Sequence, residues 1–98
     1  MNQYMIDIEL PQPITEEFAG LIPSQRAMVN VLMGEGKIAS YSLSMDRSRL
    51  WVIVNAESAE GARGIIASFP IIPFIKFRMH ELAFHNSVRF LRPQFSLN

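Results

Sequence analysis

The sequence has no cysteine, which excludes a disulfide framework, a zinc–thiolate centre and a cysteine nucleophile. It has no excess of either charge: nine Lys and Arg against nine Asp and Glu give a formal net charge of +0. Dedicated nucleic-acid or anionic-membrane binding needs a basic field, so neither partner is expected. Charged residues make up only 18% of the chain and hydrophobic ones 49%, a balance that disfavours intrinsic disorder. No stretch approaches the ~18 uncharged apolar residues of a membrane span. The opening Met1–Asp7 segment lacks the basic head and unbroken apolar run of a secretory signal. The expectation is one small domain of 98 residues in the cytoplasm. Its apolar excess over charge points to self-association as a homodimer or higher oligomer.

What is present is a series of switches in hydrophobic period. Tyr4, Ile6, Ile8 and Leu10 alternate with Met5, Asp7 and Glu9, which reads as a strand ended by Pro11–Gln12–Pro13. Thr15–Glu16–Glu17 opens a helix, with a hydroxyl cap and two acids that suit the positive end of the macrodipole. Phe18, Leu21, Ile22, Met28 and Leu32 keep helical spacing, broken at Pro23, which opens a second helical piece. Gly34, Gly36 and Lys37 end it.

Ile38–Met45 and Leu50–Asn55 read as a hairpin around Asp46–Arg47–Ser48–Arg49. With that loop Met45 faces Leu50, Leu43 faces Val52 and Tyr41 faces Val54. The other face pairs Ser44 with Trp51, Ser42 with Ile53 and Ser40 with Asn55. This segregation requires a loop of even length. Ser58 caps a further helix with a stripe of Ala62, Ile65, Ile66 and Phe69. Within it Gly61 and Gly64 are either points of close approach to the sheet or simply weak helix positions. Phe69–Pro70–Ile71–Ile72–Pro73–Phe74 is too proline-rich for a central strand and leads into the last one, Phe74–Ala83. That strand sets Ile75, Phe77 and Met79 against Lys76, Arg78 and His80.

The order βαββαβ with right-handed crossovers predicts an α+β domain. It has a four-stranded antiparallel sheet in the order 4-1-3-2, with both helices on one face. The apolar sets Ile6/Ile8/Leu10, Leu43/Met45, Val52/Val54 and Ile75/Phe77/Met79 are expected beneath the helices. Residues 1–84 form this domain. Residues 85–98 form a tail in which Val88–Phe95 is apolar enough to dock on a neighbouring subunit.

In that order the first strand lies beside the last. Asp7 and Glu9 therefore emerge with Lys76, Arg78 and His80 on the face away from the helices. The chemistry such a cluster suggests is a proton shift next to a carbonyl. His80, Asp7 or Glu9 carries the proton, and Arg78 holds the developing enolate. Trp51, Ser40, Ser42, Asn55 and Lys76 share the face as candidate substrate-binding residues. The competing reading is a salt-bridged sheet face or a charge-matched subunit contact, with no catalysis at all. RNA-recognition modules share the βαββαβ order, but Asp7 and Glu9 on the first strand repel phosphate. No metal or nucleotide cofactor is expected. His80 and His85 fall on opposite sides of a continuous strand, and Gly34–Ile38 lacks the serine or threonine of a phosphate loop. Gln25, Arg26 and Asn30 interrupt the first helix, and any of them found buried becomes a rival for substrate binding.

Tyr4–Pro11, the Gly36–Lys37 helix end, Phe69–Phe74 and Leu82–His85 together resemble the muconolactone delta-isomerase family. The most specific piece is the Phe69-Pro70-x-x-Pro73-aromatic approach to the last strand. The resemblance implies a ferredoxin-like subunit that pairs sheet to sheet as a dimeric α/β barrel. It also implies cofactor-free proton movement in a small unsaturated lactone during breakdown of aromatic compounds. The second strand departs from the family pattern: Ile38–Met45 lacks the histidine, tryptophan and arginine found there. Glu81 stands where the family has a proline. No catalytic role is carried across on the resemblance. A cofactor-independent monooxygenase on the same kind of barrel is a further alternative.

Overall fold

The computed structural model describes residues 1–87. The strands are β1 (Asn2–Glu9), β2 (Ile38–Leu43), β3 (Arg49–Ala56) and β4 (Lys76–Leu82). The helices are α1 (Glu16–Ala19), α2 (Ile22–Gly34) and α3 (Ala59–Ala67), and Ile72–Phe74 forms a 3-10 turn. The sheet is antiparallel in the order β2-β3-β1-β4, as the right-handed crossovers predict. Among the described residues no helix is long and apolar enough to cross a membrane.

Alternation in β1 does the main work of building the core. Ile6 and Ile8 are 0% exposed, and they pack with Val52 and Val54 of β3 against Val29 and Leu32 of α2 and Ala62 and Ile66 of α3. Burying side chains of this size stabilises the fold by roughly 1.5–3 kcal/mol each. The caps form as the residue types dictate. Phe18 N donates to Thr15 Oγ1 at 3.1 Å, and Gly61 N donates to Ser58 Oγ at 3.1 Å. Pro23 sits in the first turn of α2, where its missing N–H costs nothing. At the other end Gly36 adopts φ 77, and Lys37 N donates to Leu32 O at 2.9 Å. That closure needs a residue tolerant of the left-handed region.

Two expectations about the hairpin are corrected. Leu43 faces Leu50, Tyr41 faces Val52, Ser42 faces Trp51 and Ser40 faces Ile53, a register two residues away from the expected one. The parity survives because the slip is even, but Met45 and Ser44 become loop residues. Met45 is 98% exposed and leaves the sheet, whereas Leu43 stays on the helical face, 47% exposed, at the edge of the core. The cause is local hydrogen bonding: Ser44 N donates to Arg49 O at 2.9 Å, and Ser44 Oγ donates to Asp46 Oδ1 at 2.8 Å. Those bonds close a longer loop than the apolar pattern demanded. A register shift between Ile38 and Ser40 brings Ile38 into the core with Val54. A bulge of this kind lets residues of both parities face one side. The last strand begins at Lys76 rather than Phe74, because Ile72–Phe74 is held in the 3-10 turn. The tail stretch Val88–Phe95, with its expected docking, lies outside the described residues.

The two glycines of α3 are not points of close approach. A Cβ at Gly64 would meet nothing within 4 Å, and one at Gly61 would meet Ala56 Cβ at 3.5 Å, an ordinary contact. Gly64→Ala is therefore expected to stabilise the protein by about 0.5–1 kcal/mol. Urea unfolding would show this as a higher midpoint at unchanged slope, and an unchanged or lower midpoint would contradict it.

Candidate functional site

The open face of the sheet carries the residues expected there. Asp7 pairs across with Trp51 on β3 and Arg78 on β4, while Glu9 pairs with Arg49 and Lys76. Arg49 clamps both acids: its Nη1 lies 3.2 Å from Asp7 Oδ1 and its Nη2 3.9 Å from Glu9 Oε2. The sequence pattern places Arg49 in the loop, whereas it is the first residue of β3 and faces Glu9, which sets up the clamp. Asp7, Glu9, Arg49, Lys76, Phe77 and Arg78 border an open groove of about 400 Å³. His80 lies opposite Met5, two pairs beyond Asp7 and on the same face, and is exposed. The structure thus brings Asp7, Glu9, Lys76 and Arg78 together, with His80 at the end of the row.

The proposed binding residues are dispersed. Trp51 is 39% exposed beside Asp7, and Ser42 and Ser40 follow on the edge strand. Asn55 has its carboxamide engaged: Nδ2 donates to Gly36 O at 2.8 Å, and Oδ1 accepts from Gln3 Nε2 at 3.0 Å. It ties β3 to the end of α2.

A second cavity, of about 230 Å³, opens on the helical side between α1, α2 and the β2–β3 hairpin. Its walls include Leu10, Phe18, Ile22, Leu50 and Ile71. Two polar side chains, Gln25 and Tyr41, also line it. Gln25 is only 3% exposed, so the rival anticipated in the sequence is present. Gln25 Nε2 donates to the Tyr41 hydroxyl oxygen at 3.2 Å, and Gln25 Oε1 accepts from Ile71 N at 3.4 Å. Because the tyrosine oxygen accepts from Gln25, its own proton remains available to a third group. Burial pushes the Tyr41 hydroxyl above its usual range, and the bond from Gln25 partly opposes this. Tyr41 is thus a neutral donor at physiological pH. Its ring packs edge-on against Phe69, with centroids 6.4 Å apart and planes at 72°.

Two guanidinium side chains, Arg26 of α2 and Arg47 of the hairpin loop, complete the lining. Among the described lining residues none is a carboxylate or an imidazole. A largely apolar chamber with one half-buried hydrogen-bond donor and cations at its rim suits a small ligand with an apolar body, a carbonyl and a negative charge. Tyr41 was legible only as a core tyrosine, and Arg47 only as a turn residue.

Residues 3–88 match the family described as muconolactone delta-isomerase. Among solved structures, a crystal structure of muconolactone isomerase superposes with a TM-score of 0.70 at 15% identity. The match covers 92% of this chain and 97% of that one, and it shows a shared fold. No curated protein matches by sequence. The chain belongs to the muconolactone delta-isomerase family.

Proposed function

We propose that the protein is an oligomeric, cofactor-free isomerase of small lactones or related products of aromatic breakdown, and that it binds them in the cavity lined by Gln25 and Tyr41. The observation that carries this reading is the Gln25–Tyr41 pair, in which a buried carboxamide holds a half-buried tyrosine that presents a free phenolic proton to a largely apolar chamber. That proton would donate to the substrate carbonyl oxygen and stabilise the enolate formed when a neighbouring C–H is deprotonated. The proton acceptor must come from outside the described lining, and a second subunit set against the cavity mouth would supply it.

A second reading places the chemistry on the open sheet face, because that face holds the carboxylates. There Asp7, Glu9 or His80 would move the proton and Arg78 would hold the enolate, with Trp51, Ser40, Ser42, Asn55 and Lys76 around the substrate. Engagement of both acids by Arg49 favours the cavity instead, and leaves the charged face as a subunit contact.

Proton exchange at the carbon beside the carbonyl of an unsaturated lactone acid, followed by NMR in D₂O, separates the two. Tyr41→Phe is expected to lower the exchange rate by about 10²-fold, the typical loss of one oxyanion donor. His80→Ala and Arg78→Ala are expected to leave it within about twofold. The opposite pattern would move the site to the sheet face, and no exchange with the unaltered protein would remove the isomerase reading.

A further inference from the structure

Arg47 is the one described residue other than glycine with a positive φ, 62. For a side chain with a Cβ this left-handed geometry is strained, and glycine or asparagine would adopt it at less cost. The strain sits at the mouth of the cavity, where Arg47 contributes to the lining. Strain retained at such a place points to the side chain as the reason for it.

The loop is built to hold this conformation. The carboxylate of Asp46 accepts from Ser44 Oγ at 2.8 Å, from Ser48 N at 3.0 Å and from Ser48 Oγ at 2.7 Å. Arg47 N donates to Ser44 O at 3.0 Å, and Arg47 O accepts from Gln12 Nε2 at 3.1 Å. Both backbone polar groups of Arg47 are thus engaged, while among the described residues no hydrogen bond or ion pair engages its guanidinium, and the residue borders the cavity. The Ser48 and Ser44 donors hold the Asp46 carboxyl at about 2, so the latch stays ionised at any working pH.

Building on the cavity reading above, we propose that Arg47 is the specificity-determining residue for an anionic group, a carboxylate, on the bound ligand, and that Asp46 is its positioning residue. The apolar walls take the ligand body, Tyr41 the carbonyl, and Arg47 the charge at the opening. A guanidinium presents paired donors that match a carboxylate edge. Fixing the backbone beforehand removes part of the ordering cost of binding. Arg26, on a regular helix turn, provides a second positive charge without comparable positioning.

The test uses benzoate and its neutral isostere benzamide as probes, with affinities from NMR titration of the full chain. In the unaltered protein both are expected to shift the signals of cavity residues, with benzoate favoured. Arg47→Gly is expected to weaken benzoate about tenfold and leave benzamide within about twofold. The same substitution relieves the strained geometry, so its Tm is expected to rise by roughly 4 °C. Loss of charge preference in a more stable protein cannot be ascribed to damage. Asp46→Ala is expected to lower the benzoate-to-benzamide preference severalfold with Arg47 still in place. Unchanged preference in Arg47→Gly would overturn this inference while leaving the cavity reading intact. Failure of both probes to shift any cavity residue in the unaltered protein would overturn the cavity reading and this inference together.

Discussion

Replacing Phe69 with alanine is expected to cost about 3–5 kcal/mol of stability, the largest effect of any substitution considered for this protein. Phe69 is 1% exposed and packs in the core with Ile66 and Ile71. Removing its ring deletes the transfer energy of a large side chain and leaves a void that a sheet-backed core cannot fully close. In a domain of this size total stability is expected to be ~5–15 kcal/mol, so the loss is a large share of it. Thermal unfolding followed by circular dichroism should show the midpoint falling by at least 12 °C. The substitution also withdraws the edge contact that orients Tyr41. Surviving protein should therefore bind benzoate more weakly at temperatures where it is still folded. A midpoint change of only a few degrees would mean that Phe69 is not a central core element.

Side-chain parity makes much of this architecture legible in the sequence itself. Ile6, Ile8, Val52 and Val54 read as one buried face, and all four are 0% exposed. Thr15 and Ser58 were identifiable as caps because short hydroxyl side chains outcompete water for the free N–H groups of a helix start. The hairpin register was less legible, since an even slip preserves parity and the apolar pattern cannot detect it. What decided it was the set of bonds around Ser44, Asp46 and Ser48, a local effect with no hydrophobic signature. The acid–base row on the open face was visible as an alternation in β1 and β4. Arg49, which unites its carboxylates, is hidden because it reads as a loop residue, one position before the expected start of β3. The cavity was not visible as a unit, because Phe18, Ile22, Gln25, Tyr41 and Ile71 come from separate segments. Each looks like ordinary core or helix surface alone. Only the burial depth of Gln25 marks the site, and depth is a property of packing rather than of composition.

Gln25→Leu and Tyr41→Phe should differ sharply in both stability and response to alkali. Gln25→Leu keeps the volume but leaves Ile71 N–H and the Tyr41 hydroxyl without their partner. A loss of about 1–3 kcal/mol is expected. Tyr41→Phe removes only the hydroxyl and is expected to cost about 1 kcal/mol. The double variant should lose less than the sum, because once the hydroxyl is gone one of the orphaned groups no longer exists. The pH dependence has a definite sign. Burial raises the Tyr41 ionisation above its unfolded value of 10.0, so the folded state holds the phenolic proton more tightly than the unfolded chain does. That contribution is fully present below pH 10 and is lost as pH rises from there through the folded value. Tyr41→Phe should therefore flatten the alkaline limb of a stability-versus-pH curve. Gln25→Leu should steepen it, because the bond that lowers the ionisation is gone. Urea midpoints measured at neutral pH and at successive steps above pH 10 would show both trends. Parallel curves for the three proteins would mean that the Tyr41 hydroxyl is not held neutral by its surroundings, and the carbonyl-donor role would lose its physical basis.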